Sequence, residues 1–235
     1  MGVSQEFRSR WGAFRFPSGR RGFVGVTAEQ DHFMILAGGL WTAFQVGKPF
    51  FLPWIVRDRE GHGNLSGTLH FREEGRNVWA RVQKLVRADY RDERPFGIVE
   101  TVGEYAEDDR VCRLSVRFTF AAGFAGFLME PTRVENCGKR ALIMPHVLLH
   151  LNAGGGEKVV PLPDKGGWLY PDGRKTVVTA MEGGRAEFWL QPNGRAHPDI
   201  AWETGNAVVE PGASWAPSAP LAAVCSFEPF AETAQ

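Results

Sequence analysis

The chain is poor in cysteine, has no long apolar run and carries no surplus of either charge. Each shortage removes a class of protein. Cys112, Cys137 and Cys225 are the three cysteines among 235 residues. They form no CxxC pair, and their odd number leaves at least one thiol free unless it bridges chains. A disulfide framework does not fit this usage; structural thiols in a reducing compartment such as the cytoplasm do. No stretch approaches the ~20 apolar residues of a membrane span. The first thirty residues contain five arginines and no unbroken apolar run, unlike a secretory signal. Gly2 follows the initiator, but Glu6 stands where a myristoylation signal needs Ser or Thr. With 27 basic and 27 acidic side chains, there is no electrostatic grip on nucleic acid or anionic lipid.

Familiar catalytic motifs are missing as well. Gly47-Lys48 and Gly138-Lys139 lack the upstream glycine of a phosphate loop, and there is no HExxH helix, GxSxG elbow or cysteine cluster. His146 and His150 are four residues apart, which would suit a shared metal on a helix. On a strand the same spacing is about 13 Å, too far for one ion. No metal and no cofactor is expected.

Glycine and proline are abundant: 28 and 15 residues, about half again the usual combined share of ~12%. They punctuate short apolar segments. In Arg113-Leu114-Ser115-Val116-Arg117-Phe118-Thr119-Phe120 every even position is apolar and every odd one polar. That period of two gives a strand with one wet side. Phe23–Val26, His32–Leu36, Ala141–Leu151, Thr176–Ala180 and Ala186–Leu190 read as strands too. Turn chemistry marks Pro17-Ser18-Gly19, Pro171-Asp172-Gly173, Glu182-Gly183-Gly184 and Gln191-Pro192-Asn193-Gly194. Arg76 to Arg94 fits either period: Val78, Val82, Leu85 and Val86 fall at helical spacing, whereas Val78, Ala80, Val82 and Val86 share a strand face. Its β neighbours favour a strand. Gly154-Gly155-Gly156 and Pro161-Leu162-Pro163-Asp164 read as one long loop. Many short strands without βαβ alternation predict an all-β sandwich or barrel. A single domain over residues 1–235 is expected, with residues 1–10 as a flexible tail.

Eight tryptophans stand out. An exposed Trp face can stack on a sugar ring, but filling a sandwich core is the commoner role for each of them. Trp168, beside Leu169-Tyr170 in a glycine- and proline-bordered loop, has the best claim to a ligand. Among the histidines, His146 is set within the apolar Ala141–Leu151, where it either satisfies a buried hydrogen bond or faces a cavity. His62 lies between Gly61 and Gly63. His32, His70, His150 and His197 have no distinguishing context.

The passage from Arg133 through Val134-Glu135-Asn136 and the polar turn Cys137-Gly138-Lys139-Arg140 to His146 and Leu151 resembles the galactose mutarotase (aldose 1-epimerase) superfamily. So does the order of Phe188–Pro192, Ile200-Ala201-Trp202-Glu203 and Val209-Glu210-Pro211-Gly212, where a strand ending in glutamate precedes a Pro-Gly turn. Gly61-His62-Gly63 matches the family's early histidine more weakly. The pieces keep the family's order over about two-thirds of the chain. Departures are Val147-Leu148, where the family often has an aromatic pair, and Asn64-Leu65-Ser66, which lacks an arginine. The resemblance implies a single-domain antiparallel β-sandwich of the galactose mutarotase-like (supersandwich) type. It further implies cofactor-independent epimerisation at an anomeric carbon, with Glu203 as base, His146 as acid and His62 orienting the substrate. Glu228 is a rival base that the family order ranks second. A sugar or oligosaccharide would be the ligand, with Trp168 also binding it. A non-catalytic carbohydrate-binding domain and a structural sandwich remain alternatives from other classes.

Overall fold

The computed structural model describes the backbone of residues 5–9, 12–16, 25–29, 32–38, 40–47, 54–57, 60–73, 76–152, 160–162, 167–169, 175–180, 184–190, 196–218 and 221–228. Side chains are described over 34–38, 42–47, 67–72, 76–149, 201–218 and 221–226. In chain order the strands are β1 (Gln5–Ser9), β2 (Gly12–Phe16), β3 (Gly25–Glu29), β4 (His32–Ala37), β5 (Leu40–Gln45), β6 (Trp54–Arg57) and β7 (Glu60–Glu73). Then come β8 (Arg76–Arg81), β9 (Lys84–Glu93), β10 (Phe96–Glu107), β11 (Arg110–Ala121), β12 (Gly126–Asn136) and β13 (Leu142–Asn152). The last are β14 (Val160–Leu162), β15 (Gly167–Leu169), β16 (Lys175–Ala180), β17 (Gly184–Leu190), β18 (Ala196–Val209), β19 (Ser214–Trp215) and β20 (Ala223–Glu228). Among the described residues there is no helix, and so none long and apolar enough to cross a membrane.

Two antiparallel sheets account for all but the β1–β2 hairpin. One runs β17-β18-β13-β7-β6-β5-β4-β3, with β8 also paired to β7; the other runs β14-β15-β16-β20-β12-β11-β10-β9, with β19 paired to β12. They are called here the β13 sheet and the β11 sheet. A shared apolar cluster joins them: Ile35, Phe44, Leu69, Phe71, Met144, Val147 and Trp202 from one side, and Val99, Leu114, Phe118, Phe120 and Phe127 from the other. Phe44 reaches across, edge-on to Phe118 at 5.5 Å and to Phe120 at 6.2 Å between centroids. Such pairs contribute about 0.5–1.5 kcal/mol beyond burial.

Sequence periodicity anticipates β11 closely. Cys112, Leu114, Val116, Phe118 and Phe120 are all buried in the core, while Arg113 and Arg117 on the opposite face pair with Glu104 and Glu100 at 3.0 and 2.8 Å. The wet side ends at Thr119, which is buried because Phe96, Ile98, Phe124, Leu128 and Ala222 form a second apolar cluster over that end. The other expected segments lie in or overlap β3, β4, β13, β16 and β17, with Phe23 and Val24 outside the described residues. The turns named at Pro17, Pro171, Glu182 and Gln191, and the Gly154–Gly156 run, lie outside the described residues, except that Gly184 opens β17. Two loop expectations are corrected: Pro161 and Leu162 belong to β14, and Trp168 and Leu169 to β15, with which β14 pairs. As the terminal strand of its sheet, β14 tolerates a residue without an N–H.

The ambiguous stretch from Arg76 to Arg94 is two strands with a break at Val82 and Gln83. Val82 N–H donates to Gly67 in the β13 sheet, and Gln83 N–H donates to Glu104 in the β11 sheet, both at 2.8 Å. The chain thus changes sheets between adjacent residues. Ala80 and Val82 face the core before the step and Leu85 does so after it. That change of phase produced the false helical spacing.

Asn136, at the end of β12, ties both sheets together. Its Nδ2 donates to the carbonyls of Arg140 (2.7 Å) and Val209 (2.8 Å), and its Oδ1 accepts from Gly138 N–H at 3.0 Å. Its backbone N–H donates to Ala213, and its carbonyl accepts from Gly212. Gly212 occupies the left-handed region (φ 76°), so the Pro211-Gly212 turn can deliver Ser214 and Trp215 to pair with β12. Asn136→Asp keeps the shape but turns an acceptor towards two carbonyls. It should lower unfolding free energy in urea by about 2–4 kcal/mol, as expected for several broken buried hydrogen bonds.

All three cysteines are free; Cys112 and Cys225 are fully buried, whereas Cys137 is exposed. Burial pushes the Cys112 thiol up to about 12, and burial likewise raises that of Cys225. Since the thiolate is the reactive form, a chromogenic aromatic disulfide should titrate one thiol rapidly in the native protein and three in denaturant. Rapid reaction of two or more native thiols would contradict this burial.

Candidate functional site

The site is a row of side chains across four neighbouring strands. In register, Trp79 on β8 lies opposite His70 on β7, His70 opposite His146 on β13, and His146 opposite Glu203 on β18. Directly opposed residues project from the same face of a sheet, with Cβ atoms about 4.5–5.5 Å apart. Leu69, Phe71, Val147 and Trp202, the neighbours of these residues along their strands, point into the core. The row therefore occupies the outer face of the β13 sheet.

His146 reaches that face through an irregularity. Leu142 and Met144 face the core, and strict alternation would send His146 inward as well. Instead Val147 and Leu149 are the core residues beyond the break. Pairing with β7 shifts between Ile143 and His146, and pairing with β18 shifts between Met144 and His146. Pro145, which has no N–H to give to either neighbour, stands in the break, and a bulge of this kind re-aims the side chains that follow it. Across from it, Gly205 (φ 67°) and Asn206 (φ 56°) are both left-handed, and the Thr204 hydroxyl donates to the Met144 carbonyl.

The imidazoles of His70 and His146 are parallel to within 2°, with centroids 5.4 Å apart and Nδ1 facing Nδ1 at 3.1 Å. The centroid distance exceeds the N–N distance by two ring radii, so the nitrogens point head-on at each other. This is hydrogen-bond geometry, one nitrogen donating and the other accepting, rather than two lone pairs converging on an ion. His70 Nε2 lies 3.0 Å from Asn77 Oδ1, and the His70 ring is stacked on Trp79 at 4.1 Å and 6°. His70 is buried, His146 half-buried and Glu203 exposed. Trp79 is 53% exposed.

Of the residues singled out in the sequence, His146 and Glu203 are brought side by side. His62 lies on β7 eight residues from His70, about 26 Å along an extended strand. It falls where β6–β7 pairing shifts between Ile55↔Gly63 and Val56↔Gly61. Trp168 lies on β15 and Glu228 at the end of β20, both in the β11 sheet. The side chains of these three lie outside the described ones. His70, Asn77 and Trp79 were missed. The available signal was the alternation Leu69-His70-Phe71, which puts a polar ring opposite two core residues. Trp79 also departs from the expectation that each Trp fills the core, whereas Trp202, fully buried, follows it.

No protein-family model matches the chain, and no curated protein does either. Solved structures share its fold at low identity. A galactose mutarotase-like protein from Clostridium acetobutylicum is 8% identical with a TM-score of 0.47, over 88% of this chain and 98% of that one. The GH36 α-galactosidase AgaB from Geobacillus stearothermophilus is 10% identical with a TM-score of 0.50, over 87% of this chain and 41% of that one. A polysaccharide lyase is 13% identical with a TM-score of 0.39, over 90% of this chain and 33% of that one. These neighbours are carbohydrate-related by name; the likeness to this chain is one of fold.

Proposed function

We propose that the protein binds a sugar on the outer face of the β13 sheet and accelerates interconversion of its anomers. The observation that carries this reading is the register of His146 against Glu203, an imidazole and a carboxylate on adjacent strands of one face. Anomer exchange requires an acid and a base that converge on one carbon. Glu203 takes the proton of the C1 hydroxyl while protonated His146 gives one to the ring oxygen through Nε2, the nitrogen not turned towards His70. The C1–ring oxygen bond breaks to a free carbonyl. After rotation about C1–C2, closure from the other face returns both protons. No net proton is consumed, and no cofactor enters. Positioned transfer of this kind contributes 10²–10⁴-fold. A sandwich end such as Glu228, on the other sheet, is less well placed to act with His146.

Freshly dissolved α-glucose, α-galactose and their 6-phosphates, followed by polarimetry or NMR, should equilibrate faster with the protein present. Glu203→Gln should remove on the order of 10²-fold or more of that acceleration with folding and sugar affinity nearly unchanged, whereas Glu228→Gln should do little. The reverse pattern would make Glu228 the base, and no acceleration with any tested sugar would remove the epimerase reading.

The exposed Trp79 supports a second reading, non-catalytic sugar binding: one ring face rests on His70, and the indole is half open to solvent. Saturable oligosaccharide binding that is lost in Trp79→Ala, with no anomer exchange, would favour it. Binding unaffected by that substitution would count against it.

A further inference from the structure

We infer that Asn77 and His70 are positioning residues that fix the tautomer of His146, placing its permanent proton on Nδ1 and leaving Nε2 as the nitrogen that exchanges a proton with ligand. The inference deepens the reading of His146 as the acid and rests on it only for its meaning in turnover; the tautomer itself can be measured without any substrate.

The assignment follows from matching donors to acceptors along the row. An amide oxygen can only accept, so His70 Nε2, 3.0 Å from Asn77 Oδ1, must carry a hydrogen. A neutral imidazole with its hydrogen on Nε2 has a bare Nδ1. That Nδ1 faces His146 Nδ1 head-on at 3.1 Å, so the hydrogen between them belongs to His146. If both nitrogens were protonated, two N–H groups would point at each other. If both were bare, two lone pairs would. His146 is thereby held with Nδ1–H donating to His70, whichever state its Nε2 is in. Trp79, parallel to His70 at 4.1 Å, limits tilting of the His70 ring on one side. An unconstrained histidine favours the opposite tautomer, with hydrogen on Nε2, which as a neutral group offers no acceptor towards the ligand. The relay thus prepares His146 to take back the proton it gives. In the unaided tautomer the same Nε2 would face the sugar, but already carrying its hydrogen.

Two-bond ¹H–¹⁵N correlation spectra of the uniformly labelled protein report which ring nitrogen carries hydrogen. The signals of His70 and His146 are assigned by their loss in His70→Gln and His146→Gln. Neutral His146 should show a pyrrole-type Nδ1 and a pyridine-type Nε2, and His70 the reverse. Asn77 is exposed, so its substitution should leave folding intact. Asn77→Ala should return His146 to the Nε2–H form. Asn77→Asp, which still accepts from His70, should retain Nδ1–H. Should anomer exchange be found, Asn77→Ala should lower kcat on the order of 10-fold, part of the 10²–10⁴ available, with KM little changed, and Asn77→Asp should restore it. A wild-type His146 with hydrogen on Nε2 when neutral, or a tautomer unmoved by Asn77→Ala, would overturn the inference. Absence of anomer exchange would overturn the functional reading and leave the tautomer result standing.

Discussion

The amide of Asn136 is the constraint on which the site depends. It binds the Arg140 carbonyl just before β13 begins and the Val209 carbonyl where β18 ends. Leu142 and Val209 are the first residues paired between those strands. Every later partner on β13 and β18 is counted from that anchored end. Because side chains alternate with a period of two, a slip of one residue would turn a whole strand's outer set inward. The clamp, followed by the irregularity at Pro145, is what sets His146 opposite Glu203 rather than opposite Trp202 or Thr204. Asn136 also receives the Pro211-Gly212 turn, so two segments distant in the chain meet at one buried side chain.

On this frame the sheet does more than hold residues apart at fixed spacings. Lateral order across β8, β7, β13 and β18 turns four isolated side chains into a directional series: an amide oxygen, two imidazoles and a carboxylate. Asn77, His70 and His146 meet across adjoining strands, and Glu203 stands in register beside His146. Chemistry that needs two groups poised within a hydrogen bond of one substrate atom is well served by such placement. One scaffold commonly hosts unrelated functions, so function has to be argued from this row and not from the fold.

Much of the fold was legible because its strands have one buried face. The even positions of β11 are core residues as the alternation implied, and the segments at Phe23, His32, Ala141, Thr176 and Ala186 all lie in or overlap strands. Legibility failed where the phase changed. At Val82-Gln83 the chain passes from one sheet to the other, and the residues on either side of the step combine into a pattern that mimics a helix. At Pro145 the same kind of break carries His146 to the outer face. Periodicity alone would have counted it inward with Met144. The site was half legible. His146 and Glu203 emerged through resemblance, whereas His70, Asn77 and Trp79 matter because of partners on other strands. Cross-strand register cannot be read from any one segment. Trp79 shows the limit of composition in particular: an indole half open to solvent and one sealed in the core, Trp202, are the same letter.

The two histidines that touch are 76 positions apart in the chain, and Glu203 comes later still. Loops of that length close slowly, and sheets dominated by distant pairings are among the slower folds to assemble. The crossover at Val82-Gln83 can form early from nearby strands, but β7 must then wait for β13, and β13 for β18. During synthesis, the row is therefore incomplete until most of the polypeptide has emerged, and a chain interrupted before Ala196 carries two imidazoles without their carboxylate. Completion of the row is a late event in the molecule's own biogenesis, a signature that the whole β13 sheet has closed.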